Sequence, residues 1–130
     1  MDRNVFGALL LVAGVLLMAT PVSAHHAVSA SYDVNDQVTL TGVIAEVRLT
    51  NPHSWFYVDV TDASGKVTRW GFEAAIPATL IRRGYKRDTL KPGDKVVVKA
   101  SRARDKSANM GALESISLPD GKFVYGGALD

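Results

Sequence analysis

The segment VTLTGVIAEVRL, Val38 to Leu49, decides the fold of this chain. It is rich in β-branched residues, and its apolar positions alternate as they do in a strand. The alternation changes phase around Gly42: Val38, Leu40 and Ile44 share one face, whereas Val43, Ala45, Val47 and Leu49 share the other. A glycine at such a change of phase predicts a bulge or a sharp coil, as in a strand that serves two sheets of a barrel.

Further strands and one helix follow this segment. WFYVDV (55–60) and KVTRWGFE (66–73) read as two strands around the turn DASG, and KVVVKA, ALESISL and KFVYG read as three later ones. Between them, Pro77 and Gly84 bracket a short helical pattern whose apolar stripe is Ile76, Leu80 and Ile81. The order predicts an all-β fold with one short helix, an OB-like barrel of five to six strands, with an open β-roll or sandwich as the alternative.

The N-terminal residues have the pattern of a secretory signal. A short polar head precedes an apolar run from Val5 to Ala19, and Val22-Ser23-Ala24 offers small residues for cleavage after Ala24, or one residue earlier after Ser23. An uncleaved anchor is the alternative, but a spanning helix needs about 20 apolar residues. We expect a signal-peptide helix over 1–24, a flexible lead-in over 25–37, an OB-like domain over 38–126 and a C-terminal tail over 127–130. The mature protein is then periplasmic or secreted, with no membrane contact.

Composition narrows the classes of partner. The chain has 130 residues, no cysteine and a formal net charge of +2, so no disulfide stabilises the domain. Ten basic residues lie between Arg82 and Lys106 against three acidic ones. Such a segment attracts anions, but the near absence of aromatic residues within it speaks against a nucleic-acid partner.

Three histidines are the candidate metal ligands: His25, His26 and His53. Cleavage after Ala24 makes His25 the first residue, so its α-amine and imidazole can chelate one ion, with His26 or His53 adding a nitrogen. Nitrogen ligands of this kind suit copper first, then nickel or zinc. The alternative is a soluble tail whose histidines have no function.

A second set of residues lies where OB-folds usually bind their ligands, on strands two and three and the adjoining loops. Its members are Asn51, Trp55, Tyr57, Arg102 and Arg104. Alternation leaves open whether Trp55 and Tyr57 face the core or a ligand, whereas we expect Trp70 and Phe72 in the core.

The motifs of common enzyme classes are absent. The sequence has no G-x-S-x-G, no H-E-x-x-H and no glycine-rich phosphate or dinucleotide pattern. We therefore expect a non-enzymatic protein.

Several short motifs resemble a family of small exported bacterial proteins catalogued as a domain of unknown function. They are the histidine pair, Asn51-Pro52-His53, Trp70 before Phe-Glu, Arg83-Gly84-Tyr85 and the turn from Lys91 to Asp94. Ala27 stands where the family often has serine. The element order is also similar to exported bacterial OB-fold proteins linked to stress tolerance and cation binding. The resemblance implies an exported OB-like domain and does not supply a catalytic activity.

These observations lead to one expected function and one alternative. We expect an exported protein that binds a divalent transition metal through its mature N-terminal histidines and His53. The alternative is a periplasmic module that binds an anionic or glycan-like ligand, or a protein partner, without metal.

Overall fold

The structure, a computed structural model, describes residues 28–127 and 129. A helical turn over 28–31 leads into six strands and one further helix. They are β1 (Tyr32–Arg48), β2 (Ser54–Thr61), β3 (Val67–Ala74), α1 (Pro77–Arg82), β4 (Lys95–Ala103), β5 (Met110–Ser117) and β6 (Phe123–Gly126).

The strands form a closed ring. The sheet order is β3-β2-β1-β4-β5-β6, and all of these neighbours are antiparallel. A parallel pairing between Gly71–Glu73 of β3 and Met110–Ala112 of β5 closes the order on itself, with β6 paired to the second half of β5. This closure, with α1 between β3 and β4, confirms the predicted all-β, OB-like architecture.

Strand β1 serves both sides of the ring, as its glycine predicted. It pairs with β4 from Tyr32 to Val43 and with β2 from Val43 to Arg48. At Gly42 an added Cβ would lie 2.5 Å from the carbonyl oxygen of Asp59, so the two strands approach too closely there for a side chain. The register irregularity between β1 and β2 falls later, between Ile44 and Glu46.

β1 begins at Tyr32, six residues before the predicted start at Val38. The residues between them are mostly polar and do not alternate, so no pattern marks them as a strand. Their pairing with β4 is itself irregular between Asp33 and Gln37. Residues 32–37 of the expected lead-in are therefore part of the sheet.

The interior of the ring is filled by the inward faces of the strands. Phe56, Val58, Phe72, Val96, Val98 and Ile116 are completely buried. Trp70 is partly buried and packs against this core, with its ring centroid 6.0 Å from that of Phe72. The expectation that Trp70 and Phe72 belong to the core is confirmed.

Helix α1 closes over the core with one side only. Leu80 is fully buried, whereas Ile76 and Ile81 are 39% and 48% exposed. The predicted stripe was therefore wrong for the two isoleucines: Ile76 precedes the helix as its N-cap residue, and the helix buries Thr79 and Leu80 instead of Ile81. Gly84 ends it at φ +96°, a conformation that favours glycine.

No helix within residues 28–127 and 129 is long and apolar enough to cross a membrane.

Candidate functional site

The loop between β1 and β2 places His53 directly before β2. Thr50 Oγ1 donates a hydrogen bond to the backbone oxygen of His53 (3.1 Å), and the Asn51–Pro52 peptide bond is cis. Asn51 is exposed at the tip of this loop. The His53 side chain is 35% exposed, so its ring is accessible from solvent.

Glu73 of β3 joins His53 to the start of β1. Its Oε1 is in close polar contact with Nδ1 of His53, and its Oε2 accepts a hydrogen bond from the Tyr32 hydroxyl. The Glu73 side chain is only 15% exposed, so a negative charge is held close to the ring. We call these three residues the Tyr32–Glu73–His53 chain.

This arrangement selects one form of the imidazole. A carboxylate beside Nδ1 favours a proton on that nitrogen, which leaves the lone pair of the neutral ring on Nε2. No contact among the described residues occupies Nε2 of His53. A metal-binding imidazole usually donates the N–H of its other ring nitrogen to a carboxylate, a backbone carbonyl or a water, which fixes the orientation of the ring.

Tyr32 supports Glu73 from a buried position. Only 3% of Tyr32 is exposed. Burial above all, and then the hydrogen bond and negative charge of Glu73, raise the pKa of the phenol well above its ordinary value. Tyr32 therefore remains a hydrogen-bond donor to the carboxylate over the physiological pH range.

A groove of about 470 Å³ lies beside the Tyr32–Glu73–His53 chain. Its lining includes Tyr32, Trp55 and Glu73, together with Arg104, Asp105 and Met110 from the end of β4 to the start of β5. Its volume lies within the range of about 300–1,000 Å³ that is usual for small-ligand sites.

Trp55 and Tyr57 form an aromatic face on the outside of β2. Their ring centroids are 6.1 Å apart and their planes differ by 16°. Both are half-buried, because Phe56 and Val58 occupy the inward positions of the strand. The sequence left open whether these two rings face the core or a ligand, and the structure places them on the outer face.

The neighbours of this aromatic face leave it uncovered on one side and add a positive charge at its border. Gly71 lies opposite Tyr57 on β3 and adds no side chain between the rings. The Arg48 guanidinium lies 5.2 Å from the centre of the Tyr57 ring.

The two predicted arginines lie in different places. Arg104 borders the groove, and its Nε donates to the backbone oxygen of Ser29 (2.8 Å). Arg102 instead stacks over Trp70, with 5.7 Å from its guanidinium carbon to the ring centre. The structure thus brings His53, Trp55 and Arg104 around Glu73, and it places Arg102 against the core tryptophan.

The remaining predicted ligands, His25 and His26, lie outside the described residues, as do the predicted signal peptide and its cleavage site. Within residues 28–127 and 129, no group of three histidine, aspartate or glutamate side chains is arranged to hold a metal ion. The Tyr32–Glu73–His53 chain contains one histidine and one carboxylate, so a complete metal site requires further ligands.

Sequence reasoning missed Glu73 and Tyr32. Glu73 is the direct cross-strand partner of Trp55, because Thr61 pairs with Val67, one residue beyond the register that the predicted turn DASG gives. Tyr32 is 41 residues from Glu73, and no local pattern relates the two.

The fold and the site define a class: a small OB-like ring of strands with a carboxylate-oriented histidine beside an aromatic groove. The chain belongs to the family described as "Family of unknown function (DUF6152)", whose model matches residues 12–112. The expected membership of a domain family of unknown function is confirmed. No curated protein and no solved structure matches the chain.

Proposed function

We propose that this protein is exported and binds a divalent transition metal, copper first and nickel or zinc next, without catalysing a reaction. His53 supplies one nitrogen through Nε2, and the processed N-terminus supplies the others through the α-amine, His25 and His26. The observation that carries the proposal is the contact between Glu73 and Nδ1 of His53. It presents a histidine in the form and orientation that a metal ion requires.

The position of the start of β1 supports a site shared between His53 and the N-terminal histidines. The Tyr32 hydroxyl donates to the same carboxylate that contacts His53. His26 precedes Tyr32 by six residues, of which 28–31 form a helical turn, so the two residues from His26 to Val28, at most about 7 Å of extended chain, lead from this turn to the histidine pair. A tether of this length gives the histidine pair a high effective concentration at His53.

Arg104 restricts where this tether begins. Its backbone N–H donates to the oxygen of Ser31 (2.9 Å), and its Nε donates to the oxygen of Ser29 (2.8 Å). These bonds fasten the turn at 28–31 to the end of β4. The chain that leads back to His26 therefore starts at the rim of the groove.

Copper titration of the processed protein tests the proposal. Intact mass first establishes whether His25 is the N-terminal residue. His53→Ala should then weaken copper binding, and Glu73→Gln should weaken it by about 10–100-fold, the usual effect of losing a carboxylate that orients a metal-binding histidine. Glu46→Gln is the matched control, because Glu46 is an exposed glutamate of β1 paired with Arg48.

Two results would contradict this function. A mature protein that retains residues 1–24 removes the amine ligand. An affinity that His53→Ala leaves unchanged assigns the metal to the N-terminal tail alone, with no part played by the folded site.

A second candidate function is supported by the aromatic face and the groove. A glycan-like or anionic ligand would stack on Trp55 and Tyr57 and meet the positive charge of Arg104. The parallel rings, 6.1 Å apart, favour this candidate, since flat aromatic faces bind rings by stacking. Binding without metal that is lost in Trp55→Ala but retained in His53→Ala would support it over the metal site.

A further inference from the structure

A second groove, of about 500 Å³, lies between the end of β1 and the connection from α1 to β4. Val47, Leu49 and Leu90 line its floor. Leu90 belongs to the main core, and Val47 and Leu49 are partly buried residues packed against that core. Leu90 is only 3% exposed, so the accessible apolar surface of this floor is that of Val47 and Leu49. None of the lining residues is shared with the groove beside Glu73.

The border of this second groove carries positive charge. Arg87 and Lys91 line it, and both are exposed. They belong to the segment 82–95, which contains six basic residues and two acidic ones. Elsewhere Arg48, Arg69, Arg104 and Lys106 each have a carboxylate partner. By contrast, Lys86, Arg87, Lys91 and Lys95 form no ion pair with any other described residue.

Two acidic side chains also border the groove. Glu46 is in an ion pair with Arg48 at 3.0 Å, so its charge is largely compensated. Asp88 adjoins Arg87 in the chain and is outnumbered by the basic residues around it. The lining residues carry two acidic and two basic side chains; with Glu46 paired to Arg48, Arg87 and Lys91 outnumber Asp88, and this excess favours an anion over a cation.

We propose that this groove binds an amphipathic organic anion, a molecule with an alkyl chain and one negatively charged head. The alkyl part lies on Val47 and Leu49, next to the buried Leu90, and removes the partly exposed surface of these two side chains from water. The head lies between Arg87 and Lys91, whose charges have no other partner among the described residues. The volume matches the range of about 300–1,000 Å³ typical of small-ligand sites.

Calorimetric titration with decanoate, below its micellar concentration, tests this site. Decanoate should bind, whereas acetate, which has the head without the chain, and decyltrimethylammonium, which reverses the charge, should not. The double substitution Arg87→Gln with Lys91→Gln should weaken decanoate binding by about tenfold or more (about 1.4 kcal/mol). Added salt should weaken binding to the unaltered protein. The matched control is Lys66→Gln with Lys122→Gln, two exposed lysines outside the groove, which should leave the affinity unchanged.

Other outcomes would overturn the proposal. Equal binding of acetate and decanoate would show that the apolar floor is not used. An equal loss of decanoate affinity in the two double variants would show that binding depends only on the net charge of the protein. Binding to vesicles that contain phosphatidylglycerol, without any binding of decanoate, would assign the charged segment to a membrane surface. All measurements use metal-free protein, so a failure of the copper site does not affect them.

Discussion

Removal of the Tyr32 hydroxyl is the sharpest test of the Tyr32–Glu73–His53 chain. Tyr32→Phe keeps the buried ring and deletes only the group that donates to Glu73. A hydrogen bond to a charged group contributes about 1.5–3 kcal/mol. We therefore expect the free energy of unfolding at pH 7 to fall by about that amount.

The loss should become smaller in alkali. Burial and the Glu73 carboxylate raise the pKa of Tyr32 in the native protein above its ordinary value of 10.0. Above about pH 10 the unfolded tyrosine releases its proton while the native one keeps it, so the unfolded state is favoured as the pH rises. For one such group the stability lost between pH 10 and pH 11 is about 1 kcal/mol. Tyr32→Phe lacks this contribution, so the difference between the two proteins should narrow by that amount.

Urea unfolding, followed by the fluorescence of Trp55 and Trp70, measures this at pH 7, 10 and 11. Burial also raises the pKa of Tyr85, but Tyr85 is present in both proteins and cancels in the difference. Tyr57→Phe, the same chemical change away from Glu73, gives the effect of losing a hydroxyl on the outer face. A Tyr32→Phe effect that is identical at pH 7 and pH 11 would refute the protonated, carboxylate-bound phenol.

Two further predictions concern the sheet. Gly42→Ala should lower the free energy of unfolding by about 1–3 kcal/mol, because its Cβ would lie 2.5 Å from the Asp59 carbonyl oxygen. Gly71→Ala is the control, since the nearest atom to its added Cβ would be 3.4 Å away. Equal effects of the two substitutions in thermal unfolding would contradict the close approach at Gly42. Arg69→Gln should return the pKa of Asp59 towards 3.8, because hydrogen bonds from Arg69 to both carboxylate oxygens lower this pKa in the unaltered protein. An NMR titration of the variant in which the pKa of Asp59 stays low would contradict this cause.

The strands were predictable where one face is buried. Phe56 and Val58 alternate with Trp55 and Tyr57 along β2, and this period of two is visible without coordinates. Residues 32–37 at the start of β1 were not predictable as strand, because they are mostly polar and their place in the sheet depends on pairing with β4. Pro77 and Gly84 indicated the helix, but not that only one side of it would be covered.

The candidate site was predictable in part. His53 could be selected by residue type, since the chain has only three histidines. Glu73 could not, because an acidic residue at an outward strand position reads as an ordinary solvated charge. Its role depends on contacts with two side chains 20 and 41 residues away, and such contacts arise only when the strands are paired.

The sequence by itself determined the order of strands and helix, the glycine at which β1 changes partners, and membership of the family. These follow from local periodicity, turn chemistry and short motifs, which act over a few residues. Only the tertiary structure decided that β3 and β5 close the ring, that Trp55 and Tyr57 face outward, and that Tyr32, Glu73 and His53 meet. The physical reason is that sheet register, set by the packing of the whole core, brings together side chains that are far apart in the sequence, and no local pattern indicates such contacts.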